Sequence, residues 1–219
     1  RSSPRGAGPD EPASEPGHAL TAAGPDTKPV NKRGATRERM VRSAAAVLRE
    51  RGAAGLTIDE VLIRSGAPRG SVYHHFPEGR SQLLIEALQF AGDAIAAHID
   101  GSAAYGGIAL VRGFVTFWDQ ILADSDFTAG CPVVAAAVGS GDEAPTLTPI
   151  AAEIFDRWRT ALGHSFTAEG FSDADASALA VTCLAALEGA VVLSRSSQSV
   201  EPLHDVAAQL EFLIKAKAF

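Results

Sequence analysis

The 219-residue sequence predicts an all-α protein, a small basic helical domain followed by a larger acidic one. Three observations carry this reading. Apolar residues recur at helical spacing from about residue 32 onward, no stretch keeps the strict alternation of a strand, and charge is divided unevenly along the chain. Residues 28–80 hold eleven Lys and Arg against five Asp and Glu, while residues 81–219 hold six against seventeen. The net charge of −7 excludes a uniformly basic coat and leaves the middle block as the part that faces an anion. With 46% hydrophobic residues, the chain has enough apolar material for real cores and is not disordered throughout.

Residues 1–31 are rich in Pro, Gly and Ala without any period, and they read as a disordered tail. A first helix is expected over 36–51, with Val41, Ala44, Ala45 and Leu48 on one face and Gly52 at its end. Thr57, Ile58, Asp59 and Glu60 form a capping box that opens a second helix to about residue 64. Gly66, Ala67 and Pro68 break it, and Pro68 suits the first turn of a third helix over 68–76. Pro77 ends that helix, and a longer one runs over 81–100 with Leu84, Leu88, Ala91, Ile95 and Ile99 on its apolar face. Apolar stripes then recur over 110–122, 133–138, 150–166, 176–193 and 206–214. The domains expected are therefore 32–80 and 81–219, behind the tail at 1–31.

The amino terminus lacks the apolar core of a signal peptide, and the run over 176–193 falls short of a clean membrane span, so a cytoplasmic protein with no membrane partner is expected. Cys131 and Cys183 lack disulfide-framework or metal-ligand spacing and read as small core residues. His74 and His75 diverge by about 100° on a helix and cannot chelate one metal, so no metal site is expected. No nucleophile–base arrangement or phosphate loop is assignable, and neither an enzyme nor a cofactor is expected.

Two short helices joined by a Gly-containing turn make a helix-turn-helix, whose second helix can enter a DNA major groove. Exposed positions there offer Arg69, Ser71, Tyr73, His74 and His75, while Val72 and Phe76 point inward. Gly70 costs helix stability, roughly 1 kcal/mol against Ala, and so suits close backbone approach. Arg33 and Arg37, with Lys28, Lys32 and Arg39, supply a basic arm for phosphates or the minor groove.

The run Leu56-Thr57-Ile58-Asp59-Glu60-Val61, then residues 66–77 reading GAPRGSVYHHFP, then Arg80 and Leu83-Leu84, resembles the amino-terminal domain of TetR-type transcriptional repressors. Gly130-Cys131-Pro132-Val133, Trp158 and Leu187-Glu188-Gly189-Ala190 resemble one branch of that family. The resemblance implies a homodimer that reads a palindromic operator on double-stranded DNA and is released by a small, largely apolar effector. It assigns Arg69, Gly70, Ser71, Tyr73, His74 and His75 to the operator, and Thr57 and Arg80 to phosphates. Leu62 stands where the family usually has Ala, and Arg80 where Lys is usual, one residue late. The alternatives are a TetR-like protein acting through protein partners, or a helical enzyme.

The larger part holds the candidate ligand set: Phe114, Phe117, Trp118, Cys131, Phe155, Trp158, Leu184 and Glu188. Glu188 interrupts a nearly all-apolar helix and must reach solvent, bind something or pair with a base such as Arg112, Arg157 or Arg195. Dimerisation is expected through helices over 172–196 and 202–217, the latter by a stripe of Leu203, Val206, Leu210 and Leu213.

Overall fold

The computed structural model describes residues 32–217, with side chains from 34 onward. The expected tail at 1–31, and the side chain of Arg33, lie outside the described residues. Helix α1 (Lys32–Arg51) ends at Gly52, whose φ of 68° places it in the left-handed region that glycine adopts without strain. Thr57 is the N-cap of α2 (Ile58–Ser65), its hydroxyl accepting the Glu60 amide at 3.2 Å. The other half of the expected capping box is replaced, because the Glu60 carboxylate accepts from Arg64 Nε at 2.7 Å. Gly66, at φ 63° and ψ 24°, closes α2 and turns the chain.

The third helix is shorter than its pattern predicts. A 3₁₀ turn (Arg69–Ser71) comes first, closed by Ser71 N–H to Pro68 O at 2.9 Å, and α3 spans only Val72–His75. Pro77 forces Phe76 out of the helical region, to φ −133° and ψ 82°. Helix α4 (Arg80–Ala103) then packs on α1, α5 (Gly107–Asp124) and α7 (Ala144–Ala168). Helix α6 (Pro132–Val138) lies against α7, and α8 (Asp173–Ser197) packs between α7 and α9 (Glu201–Lys217). Among the described residues there is no strand.

One contiguous apolar core runs from Met40 in α1 to Ile214 in α9, with Phe76, Trp118, Trp158 and Phe166 fully buried. Cys131 and Cys183 are buried free thiols within it. Two expectations need correcting. Helix α8 is long and apolar enough, by length and composition, to cross a membrane, although the sequence pattern suggested it was not. Its inner face is covered by α7 and α9, and it holds the buried Glu188. Leu203 and Leu210, assigned to a dimer stripe, are 0% and 5% exposed inside this one chain. A period locates an apolar face without saying which neighbour covers it.

Candidate functional site

Val72 and Phe76 are fully buried and tie the short α3 to the core, and they thereby turn the intervening side chains outward. Tyr73 is 67% exposed, with its ring against Gly79: a Cβ there would meet Tyr73 Cε1 at 3.3 Å. Arg69 is exposed and stands 3.7 Å from Asp59, which is also exposed, a contact worth little in water. His74 is exposed, and His75 lies edge-on to both His74 and Phe76. The Ser71 hydroxyl donates to Pro68 O at 2.6 Å, tightening the turn. No atom lies within 4 Å of a Cβ built on Gly70, so nothing inside the chain requires glycine there.

The remaining DNA candidates are engaged elsewhere. The Thr57 hydroxyl is committed to its cap, although the residue is exposed at the start of α2. Arg37 pairs with Glu86 at 2.6 Å and stacks 5.1 Å over the Phe76 ring, bracing α1 against α3 and α4. Arg80, expected at a phosphate, is turned inward instead. Its Nε and Nη2 donate to Leu56 O and Ala53 O at 2.7 and 2.6 Å, and its Nη1 pairs with Glu143. Beginning α4 at Arg80 aims the side chain at the carbonyls of the α1–α2 turn.

Four of the ligand candidates, Phe114, Phe117, Trp158 and Leu184, line a cavity between α4, α5, α7 and α8. Others of its walls, among them Ile95, Ile99 and Leu110, read from the sequence as ordinary core positions. The cavity measures only about 20 Å³, room for a single water. The Trp158 indole N–H donates to Gly92 O at 3.1 Å, while Trp118 is buried outside the cavity lining with its N–H unpartnered. Phe155, Leu184 and Glu188 line a separate open groove of about 470 Å³ between α7 and α8. Cys131 belongs to neither space.

Glu188 is 6% exposed, and neither carboxylate oxygen has a hydrogen-bond partner. The base expected to pair with it is absent: Arg112 binds Glu211, Arg157 binds Asp93, and Arg195 donates to Glu50 O at 2.9 Å. Burial pushes the Glu188 carboxyl up to about 7, countered only in part by the neighbouring Cys131 thiol. Burial, reinforced by Glu188, holds that thiol well above its ordinary range. Among the described residues, no group of three or more His, Cys, Asp or Glu side chains is placed to hold a metal.

A helix-turn-helix whose second segment presents Arg69, Tyr73 and His74 to solvent, carried on a larger helical body, defines the architecture of a DNA-binding regulator. Comparison with known proteins agrees. Residues 41–87 match the family "Bacterial regulatory proteins, tetR family", and residues 107–209 match "Transcriptional regulator LmrA/YxaF-like, C-terminal domain". The HTH-type transcriptional regulator Rv0196 of Mycobacterium tuberculosis is 45% identical over 187 residues, covering 83% of this chain and 95% of the relative. YxaF of Bacillus subtilis is 24% identical over 190 residues, spanning its whole length. The crystal structure of a TetR regulator from Chloroflexus aurantiacus superposes with a TM-score of 0.71 at 27% identity, covering 84% of this chain and 96% of that one. The chain belongs to the TetR family of DNA-binding transcriptional regulators.

Proposed function

We propose that the protein is a cytoplasmic repressor that binds a palindromic operator as a homodimer and is released when a small, largely apolar effector occupies its larger domain. It works by binding, not by catalysis. The observation that carries the reading is the contrast within residues 69–76. Val72 and Phe76 are fully buried, whereas Tyr73 is 67% exposed and Arg69 lies open beside it. An exposed aromatic and a long exposed base within one short segment supply the contacts that suit a major groove. Arg69, Ser71, Tyr73, His74 and His75 form the proposed reading face, Gly70 gives the DNA backbone room, and Thr57 opens α2 at its edge.

Residues 32–80 are assigned to DNA binding and 81–219 to ligand binding and dimerisation, with α4 shared between them. The partner surface is assigned to the outer face of α8, where Val181, Val192 and Leu193 are 49–55% exposed opposite the buried face. This supports the expectation that α8 must be covered on two sides. Ligand pockets usually measure about 300–1,000 Å³, so a 20 Å³ cavity admits an effector only if its helical walls part. On its Gly130-Cys131-Pro132-Val133 run, this C-terminal domain is assigned to the branch of the family that shares it.

Selection of bound duplexes from a random pool tests the reading. A two-fold symmetric consensus is expected, with half-sites about one helical turn apart, or a multiple of it. Recovery of no enriched sequence would refute it.

A further inference from the structure

The end of α1 shows how the two parts are tied together. Every α-helix ends on carbonyls without intrahelical donors, and those of α1 are satisfied from far along the chain. Gly130 N–H donates to Arg49 O at 2.8 Å, and Arg195 Nη2 donates to Glu50 O at 2.9 Å. In the turn that follows, Ala53 O and Leu56 O both accept from Arg80, whose remaining arm pairs with Glu143, the N-cap residue of α7.

We propose that Arg80 and Glu143 are positioning residues, through which movement of α7 resets the α1–α2 turn and thereby the docking angle of the Arg69–His75 segment. The inference rests on the reading above that cavity occupancy lowers operator affinity, and it names the route. A guanidinium is planar and holds its donors in a fixed fork, so Ala53 O, Leu56 O and Glu143 are kept in one geometry that no lysine reproduces. The cavity is nearly closed, and its walls belong to α4, α5, α7 and α8. Parting them displaces Glu143 at the head of α7, which Arg80 ties to Ala53 and Leu56, while Gly130 and Arg195 hold the last turn of α1 itself. Leu56 is fully buried and directly precedes the Thr57 cap of α2, so a shift of its carbonyl passes into α2 and the reading face. The direct covalent route, by contrast, crosses Gly79 at φ 65°, outside either helix.

The test uses the full chain and the duplex recovered from the random pool. Leu184→Phe pushes a larger ring into the cavity wall and stands in for an occupant. It should lower duplex affinity about fivefold or more. Glu143→Gln leaves Arg80 on both carbonyls but removes its ion pair to α7. Added to Leu184→Phe, it should return affinity to within about twofold of Glu143→Gln alone. A double variant as weak as Leu184→Phe overturns the proposal.

Hydrogen exchange tests the tie without the wedge. In Glu143→Gln, and likewise in Arg80→Lys, the Gly52 and Leu56 amides should exchange about fivefold faster at unchanged helical circular dichroism. Equal exchange overturns the proposal whatever the affinities show. If Leu184→Phe leaves affinity unchanged while exchange quickens, the tie stands and it is the occupancy reading that fails.

Discussion

Glu188→Gln converts the most unusual group in the larger domain into a measurable stability curve. Both carboxylate oxygens are buried without a partner, and burial raises the group from 4.5 to about 7 in the folded chain. A tenfold change in proton affinity corresponds to about 1.4 kcal/mol, so ionised Glu188 costs the fold on the order of 3 kcal/mol. The sign follows from which state holds the proton. Between about 4.5 and 7 the folded chain is protonated at Glu188 while the unfolded chain is not, so stability falls as pH rises through that window. Below it the group costs little, and above it the full penalty applies. Glutamine has nearly the same shape and no charge, so Glu188→Gln should match the wild type near pH 4.5 and exceed it by about 3 kcal/mol at pH 8. Urea unfolding at pH 5, 6, 7 and 8, at one fixed protomer concentration, reads the difference. A difference independent of pH, or a wild type more stable than Glu188→Gln at pH 8, would refute the reasoning.

On the reading face, Arg69→Ala should cost about 1–3 kcal/mol in operator affinity and relax preference at one base, and Tyr73→Ala should weaken binding without lowering the melting temperature. Titrations across salt concentrations check both, since each neutralised phosphate steepens the log–log slope by about 0.9; affinities that neither variant changes would remove the face from the interface. At the dimer face, Val192→Glu should shift sedimentation from dimer toward monomer with the helices intact, because the side chain is 52% exposed in the single chain. Leu210→Glu, buried at 5% exposure, should unfold α9 instead, and a folded Leu210→Glu monomer would reverse these two assignments.

Helix positions were legible because packing and local chemistry point the same way over most of the chain. Gly52 and Gly66 need positive φ where the helices stop, and Thr57 caps where the capping signal stands. The pattern failed at two helix starts. The third helix opens with a 3₁₀ turn over Arg69–Ser71 that leaves only four α-helical residues, while Pro145 and Pro149 hid the start of α7, which begins at Ala144 rather than near residue 150. Proline in the opening turns of a helix removes few hydrogen bonds, so it need not mark the end of one.

The site was only half legible, for a reason the basic block makes plain. Its net charge is a property of the sequence, but where that charge is presented depends on partners that only folding supplies. Arg37 is drawn from α1 to Glu86 on α4, Arg64 from α2 to Glu50 on α1, and Arg80 from α4 to Glu143 at the head of α7 and two carbonyls of the α1–α2 turn. Pairing cancels the local field of those bases without altering the count. Arg69 keeps its field because water screens its contact with the exposed Asp59. The same logic explains Glu188, where three arginines in the sequence offered a partner and the fold gave each to another acceptor. Residues whose role follows from helix position alone, such as Tyr73 between buried Val72 and Phe76, can be placed from sequence. Long charged side chains reach about 6–7 Å from the backbone and choose among acceptors on several elements, so their roles are settled by tertiary geometry.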